Sequence, residues 1–202
     1  VAVSLLISLS VVVIFAGSRL YSQYREQVIR TEESQLLTMA GIVGNNLNSY
    51  MEQQLEEIDL FYSQEGMPEN VWAESGGINE RTAYFLKENA GVYNWITVTE
   101  PDGTKFRYES GKNPFRESAD GEVKAVDSQD GNHPAEITGK EISDQTGWYE
   151  LYIEKNVPVG SEVYMLTFAM DLGALYEKIV APVKIGEAGY SSVKDQNMNI
   201  IM

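Results

Sequence analysis

Val1 to Gly17 (VAVSLLISLSVVVIFAG) is an apolar run with three serines and no charge. As a helix it would rise about 25 Å, slightly short of a ~30 Å hydrocarbon core. It reads as a membrane-spanning helix. The alternatives are a signal-peptide core, with Ala16-Gly17-Ser18 small enough for cleavage, and a buried helix. Arg19, Arg25 and Arg30 follow the run, but orientation needs both flanks counted. From Ser18 to about Ser63 there is no proline, and apolar residues recur at Leu36, Ala40, Val43, Leu47, Met51, Leu55, Ile58 and Tyr62. Steps of three and four are helical, with one face apolar throughout. A helix of about 45 residues is ~65 Å long, more than a small domain spans. Such a rod continues from a membrane, pairs with a second copy, or both. The positions from Leu36 to Ile58 are its expected stalk and dimer face.

The pattern changes at Gln64-Glu65-Gly66-Met67-Pro68, which ends the rod. Asn79 suits the N-cap of a short helix over Glu80 to Asn89. Val92 to Thr99 (VYNWITVT) is rich in β-branched and aromatic residues and predicts a strand. Glu100-Pro101-Asp102-Gly103 predicts a tight turn, and Thr104 to Tyr108 the returning strand. Gly111 to Pro134 is polar and predicts a mobile loop, with room for a short strand at Val123 to Val126. Trp148 to Lys155 and Glu162 to Met170 predict adjacent strands around a turn at Asn156 to Gly160. Asp171 then caps a short helix with Leu172, Leu175, Ile179 and Val180 on one side, ended by Pro182. A last hairpin is expected from Tyr190 to Lys194 and Asn199 to Met202. Hairpins imply an antiparallel sheet with helices on one face or end, so the fold class is α+β.

Charge narrows the partners. Of 202 residues, 30 are acidic and 15 basic, a net charge of -15. Nucleic acid needs a concentrated basic surface and is not an expected partner. The absence of cysteine excludes disulfides, thiolate metal sites and cysteine nucleophiles, and leaves the compartment open.

Two segments go further. One is the strand-turn-strand Asn94-Trp95-Ile96-Thr97-Val98-Thr99-Glu100-Pro101-Asp102-Gly103. The other is Lys184-Ile185-Gly186-Glu187-Ala188-Gly189-Tyr190-Ser191-Ser192-Val193-Lys194-Asp195, followed by Ile200-Ile201-Met202. With the apolar run, the long helix and Asp171-Leu172 after the closing strand, they resemble the extracytoplasmic Cache sensor region of bacterial transmembrane receptors, a PAS-like fold. The family's glycine in the last turn is replaced here by Met198 or Asn199. The resemblance implies a membrane helix at 1–17, a stalk and dimerisation helix at 18–63, a membrane-distal Cache module at 64–181, and the first hairpin of a truncated proximal module at 182–202.

No catalytic motif is present: G-x-S-x-G, H-E-x-x-H, G-x-x-x-x-G-K-[ST] and G-x-G-x-x-G are all missing. His133, the only histidine, reads as a surface residue. Asp127, Asp130, Gly131 and Asn132 fail the calcium-loop spacing. No catalytic residue, metal site or cofactor is expected. In the resembled family a small ligand sits against the sheet under a loop. Asp171 matches the residue that pairs with a ligand ammonium in amino-acid-binding members, and a plain helix cap is the other reading. The R-x-W-Y stretch of those members is not met, since Thr146 stands where the Arg would precede Trp148-Tyr149. Trp95, Tyr108, Tyr152 and Tyr164 are candidate pocket walls. Arg107 and Arg116 are candidate partners for a ligand carboxylate. The implied function is the ligand-sensing portion of a membrane-bound, homodimeric receptor, with residues after about 18 outside the cell. Its expected output is a histidine kinase, a diguanylate cyclase or a chemotaxis receptor. The alternative is a membrane-anchored adhesion or scaffold protein without a small ligand.

Overall fold

The computed structural model describes residues 2–63, 77–109, 112–116, 133–183, 191–195, 197–198 and 200–202, with side chains from residue 13 onward. The chain divides into two compact units, Val1–Asn45 and Asn46–Met202.

Helix α1 runs unbroken over Ala2–Tyr62. In the first unit its surface is exposed, including Leu36 at 40% and Ile42 at 53%. An i,i+4 pair, Arg30 Nη2 to Glu26 Oε1 at 2.8 Å, supports it. Among the described residues no helix is long and apolar enough to cross a membrane. Most side chains of the expected span at 1–17 lie outside the described residues.

The second unit is a six-stranded antiparallel sheet. Its strands are β1 (Tyr93–Thr99), β2 (Lys105–Glu109), β3 (Phe115–Arg116), β4 (Glu136–Ile142), β5 (Tyr149–Val159) and β6 (Glu162–Asp171), in the order β3-β2-β1-β6-β5-β4. Helix α2 spans Gly77–Glu88. The last turns of α1 and α2 pack on one face of the sheet, which we call inner. The core lies there, around Ile58, Tyr62, Phe85, Tyr93, Ile96, Leu166 and Phe168. The Phe168 ring lies 5.9 Å from Tyr62 and 5.7 Å from Phe85 and Tyr93. Aromatic contacts at such spacing add about 0.5–1.5 kcal/mol each beyond burial. The buried hydroxyls are satisfied: Tyr62 donates to Thr82 Oγ1 at 3.3 Å and Tyr93 to Gln54 Oε1 at 3.1 Å. Burial raises the pKa of both phenols, so they stay donors. Where α1 ends, the Arg81 guanidinium of α2 donates to the Phe61 carbonyl and sits 4.9 Å from the Phe61 ring centre. That satisfies a terminal carbonyl with a cation, as the helix dipole favours.

Several expectations need correction. Ile58 is fully buried in the core, so it is closed to a second copy; Leu47, Met51 and Leu55 are half-buried. Asn79 is not a cap. The helix begins at Gly77, whose φ of 75° turns the chain into it, and Asn79 Oδ1 accepts from Tyr108 Oη at 2.6 Å instead. Strand β5 does not turn at Asn156 but runs through Pro158, paired with Val163, to a two-residue turn at Gly160-Ser161. Strand β4 pairs no further along β5 than Glu154, so beyond it β5 has an open flank where a missing N–H is tolerated. β3 and β4 were not expected. Val123 to Val126, with most of the polar segment, lies outside the described residues.

Asp171 ends β6 and opens α3 (Leu172–Leu175), which continues as a π-helical turn over Tyr176–Val180. The final hairpin is a single bridge, Lys194↔Ile200, closed by Val193 N to Met202 O at 2.9 Å. Its extended strands are not formed, and Tyr190 and Asn199 lie outside the described residues. Asp195 Oδ2 meets Lys140 Nζ of β4 at 2.5 Å, which fastens this turn to the sheet edge.

Candidate ligand-binding face

Side chains alternate across a strand, so register sorts them by face. Ile96, Phe168 and Ile153 share one row on the inner face. Trp95, Ala169 and Tyr152 share a row on the opposite, outer face. A bulge between Tyr93 and Trp95 inserts Asn94 there and brings it beside Trp95. Both donate to one carboxylate: Asn94 Nδ2 to Glu150 Oε1 at 2.7 Å, Trp95 Nε1 to Glu150 Oε2 at 3.2 Å. Glu150 is only 5% exposed. The Trp95 and Tyr152 rings lie 5.6 Å apart, and the Arg107 guanidinium sits 4.2 Å from the Trp95 ring centre. Arg107 Nε also meets Glu109 Oε1 at 3.1 Å. The Glu109 carboxyl is held below its usual range, first by its hydrogen bond from Lys112 and then by the Lys112 and Arg107 charges. Tyr152 Oη donates to Glu141 Oε2 at 3.1 Å; burial, with that carboxylate, pushes its pKa up to about 12.

Trp95, Arg107 and Tyr152 are therefore brought together. Tyr108 is not with them: it is opposite Ile96, faces α2, and is pushed up to about 12 by burial. Tyr164 is opposite Val157, also on the inner face, with its hydroxyl 3.2 Å from Glu162 Oε2. Arg116 is opposite Phe106 and reaches Thr104 Oγ1 at 3.3 Å, so the face of Arg107 excludes it. Asp171 stands on the outer face opposite Glu150, and its Oδ1 accepts from Gly173 N at 2.8 Å, which is the cap geometry. Asp171 also borders a cleft of about 210 Å³ with Tyr50, Val92, Met170 and Lys178, whose Nζ is 4.6 Å from the Tyr50 ring centre. His133 is exposed, and its carbonyl accepts from Lys155 Nζ at 2.8 Å. The segment with Asp127, Asp130, Gly131 and Asn132 lies outside the described residues.

Sequence reasoning missed Asn94, Glu141 and Glu150. Their signal is the alternation in Tyr149 to Lys155, where Glu150, Tyr152 and Glu154 share a face against Leu151 and Ile153. Among the described residues no group of histidines and carboxylates is placed to hold a metal ion. Aromatic faces, an amide, a guanidinium and a buried carboxylate can grip a small polar molecule; they supply no nucleophile with its base.

No protein-family model matches the chain, and no curated protein matches it. Solved structures do. The ligand-binding domain of the Campylobacter jejuni chemoreceptor Tlp3 in complex with L-norvaline aligns at a TM-score of 0.57 and 12% identity, over 84% of this chain and 69% of that one. The sensory domain of Tlp3 with isoleucine bound gives 0.52 and 13%, over 87% and 70%. A domain of a putative sensory box/GGDEF family protein from Vibrio parahaemolyticus gives 0.50 and 16%, over 74% of this chain and 64% of that one. The fold is the PAS-like, Cache one. At these identities the likeness establishes the fold alone, and this chain spans about two thirds of each of those domains. In those neighbours the fold forms sensory or ligand-binding domains.

Proposed function

We propose that this chain is the ligand-sensing portion of a membrane-bound receptor, with its ligand on the outer face of the sheet. One observation carries the reading. The inner face is packed against α1 and α2, whereas the outer face gathers Trp95, Arg107, Tyr152, Asn94 and Glu150 in a fold whose solved neighbours include ligand-bound sensory domains. In this reading residues 1–17 cross the membrane, 18–63 form the stalk and pair with a second copy, 64–181 form the distal module outside the cell, and 182–202 open a second module. The ligand acts by binding one arrangement of module and helix better than another. The neighbours favour a chemotaxis or diguanylate cyclase output over a histidine kinase.

A thermal-shift screen of amino acids, amines and small carboxylates tests this. A ligand at a hundred times its Kd stabilises the native state by about 2.7 kcal/mol. The W95A variant should lose the response, and Y164A, altered on the inner face, should keep it. If no compound shifts melting, or if W95A responds like the wild type, the outer face is not the ligand site.

A further inference from the structure

Resting on that reading, we propose that the outer face is built for an organic cation, an amine without a carboxylate, and that Glu150 is the group that receives it.

The register places acids side by side. Glu141 on β4 is opposite Glu150 on β5, which is opposite Asp171 on β6. Glu136 and Glu154 form another like-charged pair on the same face. Like charges directly opposite across strands are destabilising, and a buried carboxylate is costly without a counter-charge. The hydrogen bonds to this row come from neutral donors: Asn94 Nδ2 and Trp95 Nε1 to Glu150, Tyr152 Oη to Glu141, and Gly173 N to Asp171. The high pKa of Tyr152 keeps its hydroxyl a neutral donor at physiological pH.

The cations of this face lie elsewhere. Arg107 is directed to the Trp95 ring and to Glu109. Lys105 is opposite Thr99, at the other end of β1. A ligand ammonium entering between Trp95 and Tyr152 would meet aromatic faces, which attract cations, and the Glu150 carboxylate behind them. A ligand carboxylate would meet the acid row, and the guanidinium that might offset it is already engaged by Glu109. An amine is therefore favoured over the amino acid of the same frame. Among the described residues no carboxylate group is arranged to hold a metal ion, which leaves the organic cation.

The test uses one carbon frame in three charge states, with the full chain and calorimetric titration. The probes are 2-methylbutylamine, L-isoleucine and 3-methylpentanoate. The amine should bind at least tenfold more tightly than isoleucine, and the acid should not bind. Glu150→Gln should weaken the amine at least tenfold while the variant's own melting stays level or rises. Should that variant not fold, Glu141→Gln at the exposed end of the row should still weaken the amine severalfold. Tighter binding of isoleucine or the acid overturns the cation assignment and leaves the ligand-site reading standing. Silence with all three probes at millimolar concentration also overturns it, and the wider screen with W95A then decides the ligand-site reading by itself.

Discussion

Met198 holds a φ of 65°, a conformation that glycine adopts freely and a side chain with a Cβ does not. It sits where the resembled hairpin carries glycine, in a turn closed by Met198 N to Asp195 O at 2.9 Å. Met198→Gly should raise stability by roughly 0.5–1 kcal/mol, the relief of left-handed strain less the added chain entropy; a denaturation midpoint that falls would show that the thioether packing outweighs the strain. The departure from the motif was visible in the sequence, but which of Met198 and Asn199 bears the strain was not. Gly173 shows a different constraint. A Cβ there would lie 2.8 Å from Trp148 Cγ and 3.1 Å from Asp171 Oδ1, so the small residue lets the ring cover the cap. Trp148 read as ordinary strand sequence, because contact with a residue 25 positions on (173 − 148) leaves no local pattern. Tyr108 and Tyr164 failed as pocket walls for a reason of parity. Strand position says that a residue is on the sheet; only register says on which face, and the Asn94 bulge shifts the phase of β1.

At the scale of elements, the pieces with strong periodicity were legible: α1, β1 with its Pro-Asp-Gly turn, and β6. β4 was not. Its burial is low along most of its length, and Thr138-Gly139 interrupts it, so an edge strand reads as polar loop. What fixes its start is a long-range knot. Asp59 Oδ1 of α1 accepts from Ala135 N at 2.8 Å and meets Lys155 Nζ of β5 at 2.8 Å, and the same Nζ donates to the His133 carbonyl. Lys155 is 3% exposed and Asp59 32%. The two partners should therefore be unequal in mutation. Asp59→Ala strands an ammonium in the interior and should cost about 3–5 kcal/mol, the range for a broken buried pair. Lys155→Met leaves a carboxylate that water still reaches and keeps the packing, so it should cost less than half as much. Urea melts of both single variants check the asymmetry; equal losses would mean that the pair is solvated in both directions. The knot joins the helix to the strand that leaves the polar segment, so it is also the most direct path on the inner side by which a change at 133–135 reaches α1.

For the whole molecule, the two units place different demands on one helix. In Asn46–Met202 the apolar stripe of α1 is consumed by the sheet, with Ile58 and Tyr62 at 0% and 1% exposure. In Val1–Asn45 large apolar side chains stay open, among them Leu36 at 40%, Leu37 at 75%, Met39 at 39% and Ile42 at 53%. A lone helix in water is marginal, and a run of exposed apolar residues marks a surface that something covers. The sequence showed one continuous stripe from Leu36 to Tyr62 and gave no means of dividing it, since the periodicity is the same on both sides of the division. A second copy on the upper part is the occupant that the proposed receptor requires. Leu36→Glu with Ala40→Glu places charges on exposed positions and should abolish self-association in sedimentation runs while the melting of the sheet stays within about 0.5 kcal/mol, as for surface changes generally. Ile58→Glu should instead unfold the second unit, because it buries an unpaired carboxylate against Phe85 and Phe168. If the Leu36/Ala40 variant sediments like the wild type, the upper stripe does not hold two copies together, and signalling by a paired stalk fails with it.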